Sequence, residues 1–167
     1  MHSTVKRKII TSVVAIGGGA VALAAHAATD YCALVKPEEI SKAFGENFNP
    51  PTRQSTPAGP LAGPSTTCTY KGTTLELTIA SIEALTVAKN LQNYEIRHAR
   101  ELSKNHAVDL TGVGDNAFCT HTKVDSRQGS HDYTFWVLPS GASPSSFRKD
   151  WKEPLVNIAK LFYSRLN

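Results

Sequence analysis

Residues 112–121 read GVGDNAFCTH, and the fold depends on how this stretch is taken. Gly112-Val-Gly114-Asp-Asn-Ala117 has the G-x-G-x-x-G/A spacing of a dinucleotide-binding turn. Such a turn needs a strand before it and a helix after it, because the helix N-terminus holds the pyrophosphate. The chain continues instead with Phe118-Cys-Thr-His-Thr-Lys-Val124, whose aromatic and β-branched residues favour a strand. Asp132 stands 20 positions after Gly112, but no βαβ unit separates them. The stretch therefore reads as a bend. Its glycines let the chain turn sharply into a hairpin, and Asp115 bonds local amides.

Working outward, FCTHTKV and HDYTFWVL flank Ser126–Gly129 and read as one hairpin. Upstream, TCTYKGTTLELTIASI reads as another, turning at Lys71-Gly72, with Leu75, Leu77 and Ile79 alternating in its second strand. Between the hairpins, the periodicity predicts a helix over 84–103. Leu85, Val87, Ala88, Leu91, Tyr94, Ile96, Ala99 and Leu102 share its apolar face, opposite Lys89, Asn90, Asn93, Arg97 and Arg100. Pro37-Glu-Glu-Ile-Ser-Lys-Ala-Phe44-Gly45 predicts a short first helix, with proline in its first turn and glycine as its stop. A last helix is expected from Ser143-Pro144, with Phe147, Trp151, Leu155, Ile158, Phe162 and Leu166 inward and a kink at Pro154. The loop at 46–66 holds five prolines and two glycines over 49–67 and reads as irregular. The expected class is α+β, in the order α-β-β-α-β-β-α, with helices laid on one face of an antiparallel sheet.

The chain opens with Lys6, Arg7 and Lys8, an apolar run, and Ala25-His-Ala27, the order of a secretory signal peptide. The apolar run is interrupted by Gly17–Gly19 and is short for a spanning helix. Cleavage after Ala27 is expected, leaving one extracytoplasmic domain over 28–167 with no stable membrane insertion. Thr29-Asp30-Tyr31 before Cys32 do not suit a lipid-attachment site. The full chain carries 18 Lys and Arg against 14 Asp and Glu, and losing the three leader bases leaves 15 against 14. So small an excess gives no electrostatic case for nucleic acid.

Export permits disulfides. Of the three cysteines, Cys32 and Cys68 flank the Pro-rich loop, and joining them closes 37 residues, worth about 4 kcal/mol by chain entropy. Cys119 is then a lone, buried thiol. Cys119 and His121 are the one candidate nucleophile–base pair, two apart on an expected strand. Glu95 and His98 sit at i,i+3 on the long helix and are read as an internal hydrogen bond. His121, His131 and Asp132 show no tight metal-ligand spacing. Trp136, Trp151 and Tyr133 read as core residues or a groove lining. No catalytic residue, cofactor or metal is expected.

Cys32-Ala-Leu34, Pro37-Glu38-Glu39, Gly45, Cys68-Thr-Tyr70 and Gly112-Val-Gly114-Asp115-Asn-Ala117 together resemble a family of small secreted bacterial proteins and lipoproteins without assigned activity. The resemblance covers most of the chain after the leader. It implies an extracytoplasmic α+β domain in which Gly112–Ala117 is a structural signature. The chain departs from that pattern in lacking a lipid-attachment cysteine and in carrying Cys119.

The functional expectation is a periplasmic or secreted, non-enzymatic binding or protein-interaction domain for a protein or cell-envelope ligand. The alternatives are a small hydrolase-like enzyme using Cys119 and His121, and an inhibitor or immunity-type partner of a secreted enzyme. The exposed loop at 46–66 and the hairpin turns are the expected points of contact.

Overall fold

The computed structural model describes residues 29–60, 63–140 and 150–166. The leader and the 143–149 start of the last helix lie outside them. Seven antiparallel strands form one sheet in the order β1-β2-β3-β7-β6-β5-β4. They are β1 (Thr52–Thr56), β2 (Ser65–Lys71), β3 (Leu75–Glu83), β4 (Val108–Leu110), β5 (Asn116–Cys119), β6 (Lys123–Gln128) and β7 (His131–Pro139). Three α-helices, α1 (Pro37–Phe44), α2 (Val87–Asn105) and α3 (Lys152–Leu166), and one 3₁₀ turn, Tyr31–Ala33, complete the described fold. The class is α+β. The finer order differs from expectation because the sheet has seven strands rather than two hairpins.

Three differences have local causes. Within the expected loop, Thr52–Thr56 pairs with β2 as an edge strand. Its flanking prolines sit outside the paired stretch, where the missing N–H breaks no ladder bond. FCTHTKV is not one strand. It breaks at Thr120–Thr122, where the Thr120 amide donates to the Lys123 carbonyl (2.8 Å). The expected turn residues Ser126–Gln128 are themselves strand, and the reversal is made by Gly129-Ser130, with Gly129 at φ +56°.

Two meanders, β1-β2-β3 and β4-β5-β6-β7, meet through the β3–β7 pair, whose nine-residue strands are both central. Strand alternation then divides the side chains between two faces. One face carries Cys68, Tyr70, Leu77, Ile79, Phe135, Val137, Val124 and Cys119, all buried with Ile40 and Phe44 of α1 and Leu155, Ile158 and Phe162 of α3. The other is covered by α2, with a small separate cluster of Tyr94, Ala107 and Phe118. The helices therefore lie on both faces of the sheet, not on one.

The first helix follows its sequence signals. Gly45 stops it at φ +76°, and the Lys36 amide donates to Glu39 Oε2 (2.9 Å). Helix α3 is shorter than expected: Trp151 is outside it, and the Lys152 amide donates to Asp150 Oδ1 (2.9 Å). Pro154 consequently falls in the first turn, where no intrahelical N–H bond is required, and gives no reason for a kink. Cys32 and Cys68 form a disulfide with Cα atoms 5.4 Å apart. Beside it the buried Tyr70 hydroxyl donates to the Cys32 and Val35 carbonyls (2.9 and 3.0 Å), tying β2 to the segment before α1.

Candidate functional site

The bend at 112–115 is a latch. Gly112 and Gly114 hold φ of +74° and +57°. The Asp115 amide donates to the Arg127 carbonyl (2.8 Å), and Asp115 Oδ2 accepts from the Gly129 amide (2.8 Å). Its partner is thus the β6–β7 turn, not a local amide. A Cβ on Gly114 would stand 2.4 Å from the Arg127 carbonyl oxygen. Strand β5 comes next, with no helix at the position that a dinucleotide turn requires.

Cys119 and His121 part company. The thiol is 1 % exposed and donates to the Val108 carbonyl (3.6 Å), and burial raises its pKa. The His121 side chain is 69 % exposed in the β5–β6 turn, with Nδ1 3.4 Å from Asp150 Oδ2. His98 meets Asp109 at 2.8 Å rather than Glu95, and stacks on Phe118 and Tyr94. His131 and Asp132 point to opposite faces. His131 lies between Tyr31 and Tyr133, whereas Asp132 faces α2. Trp151 and Tyr133 are buried in the main core, and only Trp136 stays half-exposed.

Helix α2 departs from its sequence reading at most of its apolar positions, although Tyr94 is buried and Lys89 and Arg100 are exposed as expected. Thr86 caps it, accepting from the Lys89 amide (3.1 Å). The sheet face below it presents Lys123, Asp125, Arg127, Asp132 and Thr134. Buried charge must be paired, and the polar side of α2 supplies the partners. Arg97 forks onto Asp132 (2.9 and 3.3 Å), Asn90 Nδ2 donates to the Gly129 carbonyl (3.0 Å), and Glu101 accepts from Lys123 (3.1 Å). Lys123 also pairs with Asp125 (2.8 Å), which accepts from the Thr134 hydroxyl (2.7 Å).

This network sets the charge states. Burial alone favours neutral Lys123, but Asp125 and Glu101 outweigh it and raise its pKa. Burial likewise works against ionised Glu101, yet the bonds from Asn105 and Lys123 keep its pKa lowered. For Asp132 burial wins over Arg97, and its pKa is raised.

With its polar side inward, α2 turns apolar side chains to solvent. Val87, Leu91, Ile96 and Leu102 are 37–55 % exposed, and Leu85, just before the helix, is 61 % exposed. Beside them stand the exposed cations Lys89, Arg100 and Lys104 and the single exposed acid of the helix, Glu95. A second feature lies at the C-terminal end of α2: a groove of about 380 Å³ lined by Glu101, Asn105, Thr120, His121, Thr122, Lys123, Trp136 and Leu138. Sequence reasoning singled out Trp136 and His121 separately. It had no signal placing them beside the last turn of α2.

No protein-family model, curated protein or solved structure matches this chain. Among the described residues no helix is long and apolar enough to cross a membrane.

Proposed function

We propose that this is an exported, non-enzymatic interaction domain whose partner is a protein seated on the outer face of α2. The observation that carries this reading is the inverted helix: Leu91, Ile96 and Leu102 are exposed while Asn90 and Arg97 face the sheet. Val87, Leu91 and Leu102 fall within about 60° of one another around α2, and an exposed apolar row of this kind is a usual mark of a docking face. Three exposed cations against one exposed acid along the outer side of α2 favour a partner that carries carboxylates. Export is supported by the base-rich leader and by the Cys32–Cys68 disulfide, which requires an oxidising compartment. The buried Cys119 thiol, with its raised pKa, argues against the hydrolase alternative.

A photo-crosslinking side chain at position 102, introduced in the producing cell, tests the reading. The expected result is one discrete heterologous protein adduct. It should be lost when Leu91→Glu is added and absent when the crosslinker is placed at position 42 on α1. An adduct of twice the chain mass, adducts to lipid only, or equal labelling from positions 102 and 42 would each overturn it.

A further inference from the structure

The groove below the last turn of α2 has a chemistry of its own. Its apolar lining comes from β7: the half-exposed Trp136 and, two residues along, Leu138. Its rim is polar and mixed. Asn105 brings an amide with one N–H on Glu101 and its carbonyl oxygen and second N–H to offer, Thr120 and Thr122 bring hydroxyls, and His121 an exposed imidazole. Between them they offer donors and acceptors side by side.

The groove's two full charges are satisfied internally. Glu101 accepts from Lys123 (3.1 Å), and Lys123 also pairs with Asp125 (2.8 Å). Lys123 already faces two carboxylates, so an anionic ligand would find no free cation here. A neutral one that presents a flat C–H face on one side and hydroxyls around its edge matches apolar lining and rim together. At about 380 Å³ the groove lies at the low end of the ~300–1,000 Å³ range of small-molecule sites, room for one or two rings.

We propose that this groove binds a neutral saccharide, one ring stacked on the indole of Trp136 and its hydroxyls bonded by Asn105, His121 and the Thr120 hydroxyl. Stacking supplies area and orientation, since an aromatic face is a rigid apolar platform. The rim supplies selection, since a ligand without hydroxyls leaves those polar groups unpaired. The site is separate from the apolar side of α2. It draws on the helix's last turn and on the β5–β6 turn, so a saccharide and a protein partner would occupy different surfaces.

The test is 19F NMR of the purified protein labelled with 5-fluorotryptophan. The sequence has two tryptophans, and Trp136→Phe assigns the resonances. Titration with N,N′-diacetylchitobiose and with cellobiose is expected to shift the Trp136 signal saturably, leaving that of buried Trp151 in place. Affinity should fall at least tenfold in Asn105→Ala and His121→Ala, exposed positions whose replacement leaves the Trp151 signal as a check that the fold persists. Three results would overturn the proposal: no saturable shift with either sugar, equal shifts at both tryptophans, or an affinity unchanged by Asn105→Ala. Tighter binding of adenosine than of both sugars would overturn the saccharide assignment as well.

Discussion

The guanidinium of Arg97, on α2, forks onto the carboxylate of Asp132, on β7, with Nη2–Oδ1 at 2.9 Å and Nη1–Oδ2 at 3.3 Å. This pair helps to fix the rotation of the helix. Asp132 points to the α2 face because its neighbour Tyr133 points into the main core. A carboxylate so placed needs a partner, and the polar side of α2 provides the direct one, with Arg127 across the strand pair as a weaker charge. Replacing Asp132 alone by Leu strands the arginine, and should destabilise the fold by about 2 kcal/mol. Arg97→Leu with Asp132→Leu should recover most of that loss, because removing both partners leaves nothing unpaired. Urea unfolding of the two single variants and the double variant checks this. Additive losses would mean that the pair is not the coupling.

A second prediction concerns the bend at Gly112–Asp115. Gly114→Ala adds a Cβ where φ is +57° and the Arg127 carbonyl oxygen stands 2.4 Å away. Steric clash and backbone strain act together, and the expected loss is about 2 kcal/mol or more. Gly112→Ala has the strain without the clash, since nothing lies within 4 Å of its Cβ position, and should cost less. Equal losses at the two glycines in denaturant unfolding would show that the close approach is not what selects glycine at 114.

Acid sensitivity should centre on Glu39. Arg165 bonds both of its carboxylate oxygens (2.7 and 2.6 Å), and these bonds, with the Lys36 amide and against a smaller effect of burial, lower its pKa from the ordinary 4.5 to about 2. A depressed carboxylate contributes stability that is present above its unfolded pKa and lost as pH falls through its folded one. Wild type should therefore melt above Glu39→Gln at pH 6, and the gap should narrow from about pH 4.5 and close towards pH 2. A gap that persists at pH 2 would assign the effect to shape rather than charge.

The two kinds of cysteine should behave differently. Cys32→Ser with Cys68→Ser opens a 37-residue loop and should cost about 4 kcal/mol. Cys119 has a buried, protonated thiol. In the native state it should resist iodoacetamide at pH 8 and react only on unfolding. Rapid native alkylation, read by intact mass, would contradict both its burial and its inert chemistry.

How much of this was legible in the sequence varies with the kind of signal. Pro37, Gly45 and the steps of three and four from Leu155 to Phe162 act locally and at short range, and α1 and α3 obey them. The Cys32–Cys68 pairing was legible because only one pair flanked the loop. The edge strand Thr52–Thr56 was hidden among prolines, because its stability comes from pairing with β2 and not from its own pattern. The groove at Trp136 was beyond reach. It joins residues 101–105, 120–123 and 136–138, which no sequence spacing relates.

The largest divergence is at α2, whose rotation is open to direct test. Periodicity assigns Leu91, Ile96 and Leu102 to the core because a helix is assumed to lie on an apolar surface. Here the surface is chiefly Lys123, Asp125 and Asp132, so electrostatic complement, together with the small Tyr94–Phe118 contact, sets which side turns inward. The two alternatives differ in sign at single positions. If the helix sits as described, Ile96→Glu and Leu102→Glu are surface exchanges and should each change stability by no more than about 0.5 kcal/mol. Asn90→Leu should be the damaging one, since it is fully buried and its amide satisfies the Gly129 carbonyl; about 1–3 kcal/mol is expected. If the apolar stripe faced inward instead, burying a carboxylate at 96 or 102 would cost several kcal/mol, and Asn90→Leu would be close to neutral. Urea unfolding of the three single variants therefore reads out the helix's rotation, and with it whether α2 offers an apolar face to a partner at all.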